Sequence, residues 1–169
     1  MLTEIVTATV ICITEFAVIV IASPMAKPSL VLRFLPEDVR EVAKNHPEPP
    51  LYQQMIAHCL LAVFLLVFLG AIVFLGIDGI RKGYGFWQLS GRFLFVLYLW
   101  KLFDILVQDQ WLVLRYGYYK KLYPETENCA GWQDRSFNKA EQTKRIVIYP
   151  FLCLLLAAAF LFLQHAGLI

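Results

Sequence analysis

Charge is what this sequence has little of. Only 17% of its 169 residues are Asp, Glu, Lys or Arg, against ~25% in an average soluble domain. Hydrophobic residues make up 59%, and mean hydropathy is +0.61. That balance argues against a water-soluble domain and excludes intrinsic disorder, which needs low hydrophobicity and high charge. Neither sign dominates: 15 Lys and Arg against 13 Asp and Glu leave a net charge of +2, too little to imply a nucleic-acid partner. Reactive motifs are equally scarce. The four cysteines form no CxxC, which removes support for disulfide exchange or c-type haem attachment. There is no Walker motif, no Gly-x-Gly-x-x-Gly loop and no Ser-His-Asp order. His46, His58 and His165 are scattered, and no His/Glu cluster sits at i,i+3 or i,i+4 spacing, so neither a metal nor another cofactor is expected.

What the chain has instead is long apolar runs. Crossing ~30 Å of hydrocarbon takes about 20 residues of helix at ~1.5 Å each. Four segments qualify: residues 5–22, 56–77, 89–114 and 146–164. Spanning segments must satisfy every backbone polar group internally. The sequence therefore predicts one all-α transmembrane domain over residues 1–169, a four-helix bundle whose first partner is the lipid bilayer. The first segment is expected to be retained as a span. It has no positive n-region, and Ala22-Ser23-Pro24 followed by Met25 is a poor cleavage site.

Basic residues set the expected orientation. The first and third inter-span loops hold eleven Lys and Arg, among them Arg33, Arg40, Lys120 and Arg135. The second loop has Arg81 and Lys82, with Arg92 just inside the next span. Loops one and three are thus expected in the cytoplasm, with both termini outside and the chain multi-pass in the plasma membrane. In loop one, Pro36, Glu37 and Asp38 suit a helix start, and Val39, Val42 and Ala43 fall on one face. This predicts a short helix lying along the cytoplasmic membrane surface. Asn45–Pro50 should end it. Around loop two, Gly76, Gly79, Gly83 and Gly85 accompany Tyr84, Phe86 and Trp87, as at an aromatic belt. Cys12, Cys59 and Cys153 fall inside spans, where cysteine is an ordinary small buried residue. Cys129, in loop three, should be reduced in the cytoplasm.

The few charges inside the spans carry the most information. Glu15 lies near the middle of the first span, and Lys101 and Asp104 lie near the middle of the third. Each costs ~2.5–3.5 kcal/mol at bilayer depth on insertion scales, so they should face the bundle and find partners. Lys101 and Asp104, at i,i+3, can pair along one face. Gln108 extends that face, and Tyr98 borders it. Glu4, Ala8, Ile11, Glu15 and Ala22 form a stripe on the first span expected to pack toward the third. Glu15 and Asp104 sharing Lys101 as counter-ion would leave excess negative charge, which favours a bound proton or a second cation. At 100° per residue, Asp109 falls ~140° around the helix from Asp104, so it is expected off this face, at the cytoplasmic interface or packed on loop three.

The stretches Leu35-Pro-Glu-Asp-Val39, Phe103-Asp-Ile-Leu-Val-Gln-Asp109, Pro124-Glu-Thr-Glu-Asn-Cys-Ala-Gly131 and Phe137-Asn-Lys-Ala-Glu-Gln142 resemble a group of uncharacterised small four-span membrane proteins of Firmicutes. The resemblance covers roughly residues 30–148. It implies a bacterial four-span membrane protein and carries no catalytic residues. In loop three, Glu125 and Glu127 flank Cys129, with Asp134 nearby. These read as a polar cap over the cytoplasmic mouth of the bundle. Carboxylates should raise the Cys129 pKa, which argues against a nucleophile. Asn138 is placed to cap the helix that opens with Lys139.

Three functions stay open. The first is a proton- or cation-handling transporter or channel-like subunit using Glu15, Lys101, Asp104, Gln108 and Tyr98. As four helices enclose little volume, it would form a homo-oligomer or join a larger membrane complex. The second is a structural or accessory subunit in which the charges only fix packing. The third is an intramembrane enzyme acting on a lipid, which predicts a lateral opening beside Lys101 and Asp104.

Overall fold

Long apolar segments close their backbone hydrogen bonds internally. The computed structural model describes residues 1–169 and is 82% helical with no strand. The elements are α1 (Leu2–Ala22), α2 (Pro28–Leu32), α3 (Glu37–Val42), α4 (Leu51–Arg81), α5 (Phe86–Phe103), α6 (Tyr118–Leu122) and α7 (Lys139–His165), with short 3₁₀ turns between them. α5 continues without a break into a π-helical stretch, Asp104–Arg115. Three helices are long and apolar enough to cross a membrane: Leu2–Met25, Leu51–Arg81 and Lys139–His165. All three exceed the predicted spans, the last two most, because polar ends such as Gln53-Gln54 and Lys139–Arg145 stay helical beyond the apolar run.

Counted together with its π continuation, α5 carries the most charge and is the interior helix. α5 packs against α1 and α7, and Leu89, Phe93, Val96 and Leu97 are fully buried. With Ile11, Leu75, Cys153 and Ala157 they form the main core. α4 and α7 turn most of their apolar surface outward, including Leu65, Leu66, Val147 and Phe151. Gly76 on α4 lets α7 approach closely: a Cβ there would lie 2.2 Å from the Phe160 ring.

Local chemistry sets the ends. Gly83 takes φ +72°, its N–H bonds to the Ile80 carbonyl, and the Tyr84 N–H reaches back to Gly79. This is a Schellman stop for α4. Pro150 lies inside α7 and cannot donate to the carbonyl of Ile146. The Tyr98 hydroxyl donates to that carbonyl instead, at 3.2 Å.

At the end of the bundle where α1 stops and α4 starts, the first and third loops fold onto each other. Val31, Leu35, Val39, Ala43, Tyr119, Tyr123 and Trp132 form a second core there. α3 occurs where the sequence predicts a short helix, but Val39 and Ala43 are fully buried under loop three, leaving Val42 exposed. Asp38 locks the two loops together: its carboxylate accepts the N–H of Val39 and of Gly131, each at 2.8 Å. The Asn138 side chain makes no cap at α7 and instead donates to Asp109 at 3.2 Å.

Candidate functional site

The stripe on α1 faces α5, and its two acids meet different partners there. The Glu15 carboxylate accepts the Trp100 indole N–H at 2.8 Å and the Gln108 amide at 2.5 Å. Both donors are neutral. Lys101 is 3% exposed and forms its ion pair with Asp104, one turn on. No ion pair joins Lys101 to Glu15, so the charged trio meets as a paired couple beside an acid held by amide and indole. Tyr98 is spent on the α7 carbonyl and lies outside this cluster.

Asp109 belongs to the site, although helical-wheel arithmetic places it elsewhere. In the π stretch, i→i+5 bonding widens the turn, and Asp104 and Asp109, five residues apart, line one cavity. Asp109 accepts the amides of Gln142 at 2.5 Å and Asn138 at 3.2 Å, again from neutral donors.

The cavity has a volume of about 360 Å³ and is partly open. Glu15, Asp104, Gln108 and Asp109 form its polar wall, facing mostly apolar groups such as Val18, Leu61 and Phe64. His58, Arg33 and Arg145 stand on its lining too. The His58 ring is tied to its own helix through the Gln54 carbonyl at 2.6 Å, and Arg145 pairs with Glu141. Lys101, buried behind the wall, lines no part of the cavity. Tyr119, at the loop end of the cavity, bonds Ser23 at 3.1 Å. Burial pushes its phenol up to about 12, so it serves there as a neutral hydroxyl. No group of three or more His, Cys, Asp and Glu is placed to hold a metal ion.

The loop residues separate. Glu125 pairs with His46 at 2.7 Å, whereas Glu127 is exposed to solvent. Cys129 points toward the Asp38 carbonyl. Its thiol is pushed up by burial first and by the Asp38 charge second, so the neighbouring acid is Asp38 rather than Glu125 or Glu127. Asp134 accepts the hydroxyl and N–H of Ser136, which hold it below the usual carboxylate range.

A second buried charge cluster lies at the opposite end of α5. Arg92, read from sequence as an orientation signal, has a side chain only 3% exposed. It donates to the Leu75 carbonyl at 2.9 Å and to Asp78, and its Nε lies 2.6 Å from Glu4 in an ion pair without hydrogen-bond alignment. One guanidinium thus joins α1, α4 and α5. The sequence signal for it was Glu4, Asp78 and Arg92 at the same end of three apolar segments. No family model, no curated protein and no solved structure matches this chain.

Proposed function

We propose that this is a four-span membrane protein that handles protons or small cations at the carboxylate-lined cavity. The fourth span is α5 with its π continuation. The reading places the linked loops in the cytoplasm and the termini outside, with Val42 of α3 touching the membrane surface and more than one copy in the assembly. It also keeps the affinity to the Firmicutes group. One observation carries it: Glu15 and Asp109 line a single cavity and receive hydrogen bonds only from neutral groups. A carboxylate sunk in low dielectric and bonded only by neutral donors favours a proton or a bound cation; Arg33 and Arg145 stand on the same lining but pair with neither acid. Lys101 neutralises Asp104 and holds the third acid fixed, so loading and release fall to Glu15 and Asp109. A π-helical wall agrees with this, since such geometry recurs at functional sites.

The test is ion flux through the purified chain in liposomes holding a pH dye, with a potassium diffusion potential as driving force. The wild type should acidify or alkalinise the lumen above the rate of empty liposomes. Glu15→Gln combined with Asp109→Asn should cut the rate at least about tenfold, the effect of ~1.4 kcal/mol. No flux above empty liposomes under proton or sodium gradients, or unchanged flux in the folded double variant, would overturn the reading. The accessory-subunit alternative draws on the Arg92 network, where buried charge ties three helices together.

A further inference from the structure

Another concave surface lies at the junction of the π stretch and loop three. It is a groove whose walls include Leu106, Trp111, Leu114, Arg115, Trp132 and Arg135. Its chemistry is divided along its length. Leu106 and Trp111 are exposed, with Gln110 between them and Leu114 half-buried against the loop core. Arg115 and Arg135 stand at the loop end, both exposed and neither ion-paired. Beside them Tyr116 stacks on Trp111 at 5.6 Å, and Lys121 sits 3.8 Å over the Tyr116 ring. No carboxylate lines the groove. Asp134, next to Arg135 in sequence, is turned into its own bend by Ser136.

We infer that this groove binds the phosphate headgroup of an anionic membrane lipid, with Arg115 and Arg135 on the phosphate and the acyl chain along Leu106, Trp111 and Leu114. The placement rests on reading Phe86–Arg115 as a span, because only then does Arg115 meet the headgroup layer. It is independent of ion flux through the cavity. Arginine presents a planar fork that matches phosphate oxygens, and basic pockets at the cytoplasmic ends of spans suit anionic headgroups. The stacked Trp111 and Tyr116 form an amphipathic shelf of the kind found at that depth. The headgroup's net charge follows from the missing acid. A zwitterionic lipid would bring an ammonium into a groove with no carboxylate to receive it, so phosphatidylglycerol fits and phosphatidylcholine does not.

The full chain in detergent, titrated with phosphatidylglycerol or phosphatidylcholine and weighed by native mass spectrometry, tests this. Phosphatidylglycerol should be retained about tenfold better than phosphatidylcholine, and Arg115→Gln with Arg135→Gln should remove that preference. Arg81→Gln, at the other end of the bundle, should leave it intact. If the double glutamine variant fails to fold, Arg115→Lys with Arg135→Lys keeps the charge and loses the fork, and retention should fall by a smaller factor. Equal retention of the two lipids, unchanged preference in a folded arginine variant, or displacement of lipid by millimolar inorganic phosphate would each overturn the inference, the last by assigning the groove to a free anion.

Discussion

Tyr98 and Pro150 illustrate how a polar residue in an apolar helix can be purely a brace. The proline removes one backbone donor, and the phenol on the next helix supplies another. Tyr98→Phe should therefore lower thermal stability in detergent by ~0.5–1.5 kcal/mol. Pro150→Ala restores the backbone donor, so in that background the same substitution should cost much less; equal losses in both backgrounds would show that the hydroxyl does something else. Cys129 gives a second prediction at this scale. Its thiol is held above the ordinary value by burial and by Asp38, so less thiolate exists at neutral pH than in a free cysteine. In a Cys59→Ser background, maleimide should modify it more slowly than free cysteine at pH 7, with the rate climbing as pH rises past the normal thiol range. A rate equal to that of the free thiol would contradict the burial. Both effects are hidden from sequence, because each depends on a partner far along the chain.

At the scale of elements, close approach of α4 and α7 depends on Gly76. Gly76→Ala drives a methyl into the Phe160 ring and should destabilise the fold by ~1–3 kcal/mol. Phe160→Leu in the same chain should recover part of the loss, read as the midpoint of thermal unfolding. The π stretch shows where sequence reading runs out. The stripe of Glu4, Ala8, Ile11 and Glu15 on α1 was legible, since an ordinary helix repeats every ~3.6 residues. The pairing of Lys101 with Asp104 and the reach of Gln108 toward α1 were legible for the same reason. Asp109 was not, because its angle depends on a change of hydrogen-bond register that the residues 104–115 do not announce. The burial of Val39 and Ala43 by loop three was also out of reach: their spacing shows an apolar face but not what covers it.

For the molecule as a whole, the charged helix lies inside and the greasy ones lie around it. That arrangement puts two ionic clusters at different depths of one helix, and the one at Arg92 has the larger structural burden. Arg92→Leu strips the guanidinium from Glu4 and Asp78, which keep only the N-terminal ammonium and Lys82, and frees the Leu75 carbonyl. Breaking a buried ion pair on one side costs up to ~3–5 kcal/mol, so the variant should unfold at lower temperature or fail to accumulate. Lys101→Met combined with Asp104→Leu removes both partners at once and should be tolerated far better, as paired removal strands no charge. Comparable losses in the two cases would mean that the Lys101 pair anchors the bundle as firmly as Arg92 does. Four apolar runs could be counted from the sequence, and three of them form helices long and apolar enough to cross a membrane. Which helix they surround could not, since the charges of α5 lower its hydropathy and conceal its central position.

The switch from narrow to wide coiling at Asp104 leaves a mark that a systematic substitution survey can read. Upstream of that point, intolerant positions should recur every three or four residues; downstream they should recur every four or five until Arg115. Removing one amino acid from residues 105–107 would rephase the rod below it and swing Asp109 away from Glu15 and Asp104, and on the proposed reading the ion flux should go with it.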